Sequence, residues 1–124
     1  MRDAENERAE PAEPDEVDLA MLQGPVTQRV ADARTALEFA RPLVARAAYS
    51  VATGDPEASV HVSMAKAHAS DAAELAGRAA LQCHGAIGYS YEYDLHLWMK
   101  RAWALAASWG DARWHRARVA AAIL

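Results

Sequence analysis

The sequence predicts an all-α fold, an antiparallel helical bundle, and three observations carry that prediction. First, 52% of the 124 residues are hydrophobic, with only six glycines and five prolines, and the abundant residues include the strong helix formers Ala, Leu, Arg and Glu. Second, apolar residues recur at alternating steps of three and four over long stretches, the spacing of a helical packing seam. Third, the breaks in that spacing fall at compact clusters of Gly, Asp and Pro, which stop one helix and start the next.

Residues 1–24 stand apart as an acidic segment. Of the formal net charge of −4, residues 1–18 contribute −6, from eight Asp or Glu and two Arg, and the rest of the chain contributes +2. With Pro11, Pro14 and few apolar residues before Val17, this stretch buries too little surface to offset its ordering entropy, so a disordered tail is expected. One folded domain over residues 25–124 follows.

The first helix is expected to open at Pro25, since proline suits the first turn. Its seam runs Val26, Val30, Ala33, Leu37, Ala40, Val44, Ala47, Val51, and it continues beyond Pro42, which should kink rather than end the helix. Gly54, Asp55 and Pro56 form a stop and restart, with Asp55 as the cap of a second helix. That helix presents Val60, Met64, Ala67, Ala72, Leu75, Ala79 and Gln82 along one face until Gly85, and Ala65, Ala69, Ala73, Ala76 and Ala80 keep the adjoining surface small. Two long helices joined by a tight turn pack antiparallel. Gly85-Ala86-Ile87-Gly88-Tyr89 abandons the helical period and reads as a loop. A third helix is expected from Asp94 to Trp109, with Leu95, Trp98, Met99, Ala102, Leu105, Ala106 and Trp109 inward. Gly110 ends it and Asp111 caps a last helix through Leu124. Four tryptophans in this stretch imply large buried areas or an interface.

Composition excludes several classes. The single Cys83 permits no intramolecular disulfide, the N-terminus lacks a secretory layout, and cytoplasmic residence is the default expectation. No apolar run of about 18 residues exists for a membrane span, and the folded part lacks the basic excess of a nucleic-acid binder.

Four ordered segments then point to a family. Ser63-Met64-Ala65-Lys66-Ala67-His68-Ala69-Ser70-Asp71-Ala72-Ala73 is followed by Leu81-Gln82-Cys83-His84-Gly85-Ala86-Ile87-Gly88-Tyr89, then by Glu92-Tyr93-Asp94-Leu95-His96-Leu97 and the basic pair Lys100-Arg101. Over residues 26–124 this resembles the C-terminal helical domain of acyl-CoA dehydrogenases. The resemblance implies a subunit of a flavin-dependent enzyme of fatty acid or lipid metabolism that desaturates an acyl-CoA thioester between its α and β carbons. It implies an oligomer, either of this chain or with a larger acyl-CoA dehydrogenase chain, and an FAD shared with a partner subunit. Gln82, Gly85, Ala86 and Gly88 fall on the family's Gln-x-x-Gly-Gly-x-Gly loop, which touches the ADP part of a neighbour's FAD. There a glycine-rich turn lets backbone N–H groups approach a pyrophosphate. Ala86 replaces the second glycine, and would strain or reshape the loop if a positive φ is needed there.

The same resemblance marks what this sequence lacks. The reaction needs a carboxylate to take the α proton while hydride leaves the β carbon for the flavin. Counting from Arg101, the usual glutamate position falls on Gly110, in Trp109-Gly110-Asp111-Ala112. Asp111 is one residue along, a swing of about 100° on a helix, and suits an N-cap better. Ala112 replaces a threonine that commonly helps hold the cofactor. An alternative glutamate on an earlier helix, the arginine near Phe-Gly, and the N-terminal helical and middle β domains have no counterpart in these residues. The expectation is a chain with no catalytic residue of its own, inactive alone and one part of a composite enzyme. The competing reading is a non-enzymatic helical association module or a degenerate remnant.

Other polar groups read as structural. His61 and His68, with Glu57 and Asp71, lack the H-x-x-x-H spacing of a metal site and are expected to form a solvated or interfacial polar row. His84 and His96 are expected to satisfy nearby carbonyls, and Cys83 to act as a small hydrophobe. Of the basic residues Lys100, Arg101, Arg113, Arg116 and Arg118, Arg101 is the candidate for a phosphate or an acidic partner.

Overall fold

The computed structural model describes residues 16–124, and the expected disorder of residues 1–15 lies outside them. Four α-helices and one 3-10 turn follow in order: α1 Glu16–Thr53, α2 Ala58–His84, the turn Gly85–Tyr89, α3 Leu95–Ala107 and α4 Ala112–Ile123. No strand occurs among the described residues. The all-α expectation holds.

Helix α1 starts earlier than its sequence signals suggest. It runs unbroken through both Pro25 and Pro42, so part of the stretch read as tail, from Glu16 to Gly24, is helical. Pro25 was expected at the first turn, where a missing N–H costs nothing, but it lies in the interior. Its seam also differs. Ala33, Ala40 and Ala47 are buried as expected, while their companions are the half-buried Ala36 and Leu43 and the buried Ser50, not Leu37, Val44 and Val51. The partner row is thus displaced by one residue, about 100° around the helix. Val30, Leu37, Val44 and Val51 are left as an exposed ridge along the seam's flank.

The hairpin between α1 and α2 closes through polar ties. Gly54 takes φ 68°, Asp55 N–H donates to the Ser50 carbonyl at 2.9 Å, and the Asp55 carboxylate accepts from Glu57 N–H at 2.9 Å. Ser50 Oγ and His61 Nδ1 meet at 2.8 Å, both away from solvent. His61 therefore fastens α1 to α2, while His68 is exposed and Asp71 pairs with Arg116 of α4. The expected polar row is divided between two separate contacts and an exposed His68.

Helix α2 is the hub on which α1, α3 and α4 each pack. Along it Ser63, Ala65, Ala67, Ala72 and Ala79 are buried, side chains small enough to let neighbouring helices approach closely. Lys66 reaches across to the end of α3, donating to the Leu105 carbonyl at 2.9 Å, the Ala106 carbonyl at 3.2 Å and Ser70 Oγ at 3.0 Å. From α4, Arg118 donates to Ser59. Among the described residues the buried hydrophobic ones number eight, seven alanines and Met99. Trp98 and Trp109, expected inward, are 70% and 82% exposed, and Leu105 is exposed as well. The face they share is real, but it does not meet this chain.

Candidate functional site

The loop after α2 owes its shape to two glycines acting in different ways. Gly85 ends the helix at φ 62°, ψ −140°, with its N–H donating to the Leu81 carbonyl, an angle that a side chain disfavours. A Cβ there would meet nothing within 4 Å, so the backbone faces open space. Gly88 is buried instead. A Cβ on it would stand 3.0 Å from Leu81 Cδ1 and 3.2 Å from His84 Cβ, so its bare backbone lets the turn lie against α2. Ala86 sits in the 3-10 turn, and among the described non-glycine residues only Trp109 has a positive φ. The alanine is therefore unstrained.

The rest of this loop is held by rings. His84 Nδ1 donates to the Ala80 carbonyl at 2.7 Å, which leaves Nε2 to accept from the Tyr93 hydroxyl at 3.1 Å. His96 Nδ1 donates to the Tyr93 carbonyl at 2.9 Å. Both histidines satisfy carbonyls, as expected. Tyr91 stands edge-on to His96 and beneath Lys100, whose Nζ is 5.3 Å from the ring centre.

The four residues assigned to the cofactor edge do not form one surface. Gly85 and Ala86 are adjacent and exposed, Gly88 is turned inward, and the exposed Gln82 lies in a cleft of about 140 Å³ between α1 and α2. Arg29, Asp32 and Arg78 line that cleft with it. Sequence reasoning missed the two arginines, although Arg78 precedes Gln82 by four residues and so shares its face. Two guanidiniums and a side-chain amide are donors suited to an anion such as a pyrophosphate, while the Gly85 N–H is committed to the Leu81 carbonyl. Asp32 is held by Gln28 and Glu74 by Arg78. Arg29, Arg78 and Gln82 have the chemistry to meet a phosphate-bearing group, and Gly85, Ala86 and Gly88 lie outside their cleft.

The second corner lies between α3 and α4. After Ala107 the backbone passes through Ser108, then Trp109 at φ 56° and Gly110 at φ 94°. Asp111 follows as the N-cap, its carboxylate accepting from Trp114 N–H at 2.8 Å. Asp111 lines the cavity between α2 and α4, on a different cavity from Trp109, and its carboxylate is engaged in capping. A Cβ on Gly110 would come within 2.8 Å of Trp114 Cε3. Beneath the corner, His115 is buried with Nε2 donating to the Trp109 carbonyl at 3.1 Å, and its Nδ1 has no partner.

Between α1 and α3 the uncovered strip of α2 forms the floor of a trough. One cavity of about 590 Å³ lies between Val44, Val51 and Val62, and another of about 500 Å³ between Ala73, Trp98, Arg101 and Trp109. Lys66 and Ala69 belong to both, and no Asp or Glu lines either. The remaining basic residues disperse: Arg113 and Arg116 line the α2/α4 cavity and Arg118 lies over the Trp114 ring at 5.1 Å. Among the described residues no group of three or more His, Cys, Asp or Glu is placed to hold a metal, and no helix is long and apolar enough to cross a membrane.

Comparison with known families matches residues 18–124 to the acyl-CoA dehydrogenase, C-terminal domain. No curated protein and no solved structure matches the chain.

Proposed function

The chain belongs to the acyl-CoA dehydrogenase family, whose C-terminal domain it carries, and on that premise we propose that it is one part of a composite flavin-dependent acyl-CoA dehydrogenase. Its contribution is an oligomer interface and contacts to the edge of a partner's FAD, through Gln82, Gly85 and Ala86 with Arg29 and Arg78. Gly88 acts there by packing, keeping the turn in place. FAD, when bound, supplies the hydride acceptor for α,β-desaturation. The proton acceptor comes from the partner chain.

The observation that carries this reading is the corner at Gly110. The position where the family resemblance calls for a glutamate is a glycine at φ 94°, and the trough beside it contains no carboxylate. A base is needed within hydrogen-bond reach of the proton it removes, and the one nearby acid, Asp111, is occupied as a helix cap. The chain is therefore inactive alone.

The test is purification of the chain by itself and after co-expression with an acyl-CoA dehydrogenase chain encoded beside it. Visible flavin absorbance and acyl-CoA oxidation with a dye acceptor should appear only in the second preparation. Gln82→Ala with Arg29→Ala should lower flavin retention there without dissolving the complex. Flavin and turnover in the isolated chain, or a complex indifferent to these substitutions, would overturn the proposal.

A further inference from the structure

We propose that the trough over α2 seats an amphipathic helix of another chain whose apolar stripe is flanked by acidic residues. This deepens the composite reading by naming the chemistry of the partner at the oligomer interface.

The trough has the dimensions of a missing bundle member. Its walls are α1 and α3, its floor includes Ala69 and Ala73, and small floor residues admit a helix at the usual 8–10 Å axial separation. Along one wall Val30, Leu37, Val44 and Val51 recur every seven residues and are all exposed. That spacing matches the contact row of a helix packed lengthwise, over roughly 31 Å. The other wall carries Trp98 and Trp109, which together offer ~300 Å² of uncovered ring surface. With the aliphatic side chains beside them the face reaches ~800 Å², the share one partner gives to a stable interface.

Charge selects the occupant. Arg41, about 40° beyond Leu37 on the helical wheel and on the side away from the buried seam, and Arg101, in the lining of the trough, stand on opposite rims, and neither forms an ion pair among the described residues. Lys66 adds a third cation in the floor. A second copy of this face would set guanidiniums against guanidiniums across the seam, whereas a helix with Asp and Glu on both shoulders pairs with both rims.

The probe is a synthetic three-heptad peptide with Leu and Ala on its contact stripe and Glu on its flanks, compared with a peptide carrying Lys in place of each Glu. Tryptophan emission of the full chain should shift to the blue and saturate at one peptide per chain. The Glu peptide should bind on the order of tenfold more tightly than the Lys peptide, and less tightly as salt rises. Arg41→Glu with Arg101→Glu should reverse that preference. Both positions are exposed and unpaired, and circular dichroism verifies that the variant remains folded.

Equal affinity for the two peptides, or no saturable shift, overturns the proposal. So does a chain that sediments as a dimer with Trp98 and Trp109 already shielded, which assigns the trough to a second copy. A change in tryptophan emission on deleting residues 1–15 assigns it to the chain's own N-terminal segment and overturns the proposal as well. Failure here leaves flavin retention by the co-expressed complex untouched, so it is distinguishable from failure of the composite reading.

Discussion

The turn that leads into α3 is held by side chains, whereas the turn that leaves it is held by backbone angles. On the entering side, His84, Tyr93 and His96 form a chain of hydrogen bonds, and Gly88 packs flat against Leu81. On the leaving side two consecutive residues, Trp109 and Gly110, take positive φ, and only the Asp111 cap and the His115 ring fasten them. The difference separates a turn that accommodates a side chain from one that excludes it. The entering turn retains the family's motif with one alanine in it, and its architecture absorbs the change. The leaving turn has a glycine at φ 94°, and its backbone depends on having no side chain there.

The sharpest test of that dependence is Gly110. Gly110→Ala combines an unfavourable φ with a Cβ 2.8 Å from Trp114, and should cost about 3 kcal/mol. In thermal unfolding followed by circular dichroism this appears as a fall of roughly 12 °C or more. Gly110→Glu should fall at least as far, because the longer side chain meets the same backbone angle and the same Trp114 contact. If Gly110→Ala unfolds with the parent, the backbone account of the leaving turn is wrong.

Gly88→Ala should cost less, about 1–2 kcal/mol, because the atoms it meets include the movable end of Leu81. A larger loss than at Gly110 would reverse the comparison, making the entering turn the more fragile. Asp111→Ala removes one capping bond and should cost about 1 kcal/mol in urea unfolding. Trp109→Gly should stabilise by about 0.5–1 kcal/mol, since it relieves a left-handed aromatic residue that is 82% exposed and has little packing to lose. A destabilised Trp109→Gly would mean that the ring already has a partner.

Much of the fold is legible in the sequence because punctuation and period agree. Gly54-Asp55-Pro56 marks the hairpin, and Asp111 is recognisable as a cap from its position alone. The start of α1 is not legible. Proline at position 25 carries the signal of a first turn, and only the carriage of the helix through Pro42 hints that a second proline can be tolerated. The one-residue displacement of the α1 seam has a similar origin. With alanine at every shared position, the pattern does not distinguish Leu37, Val44 and Val51 from Ala36, Leu43 and Ser50. At the candidate site, linear spacing groups Gln82, Gly85, Ala86 and Gly88, while helix rotation sends Gln82 toward Arg29 and Gly88 toward Leu81. The face bearing Trp98 and Trp109 is visible as a period, but a period does not say whose surface the face meets.

A core that, among the described residues, consists of seven alanines and one methionine has a calorimetric consequence. Heat-capacity change on unfolding follows the apolar area exposed, about 12–15 cal/mol/K per residue in ordinary domains. Alanine contributes little of that area, so the isolated chain should unfold with a smaller increment and a broad endotherm. Filling the trough would transfer the missing increment to association, as a large negative heat capacity of binding. In a complex that fills the trough, the cooperativity of this domain would belong to the complex and not to the chain.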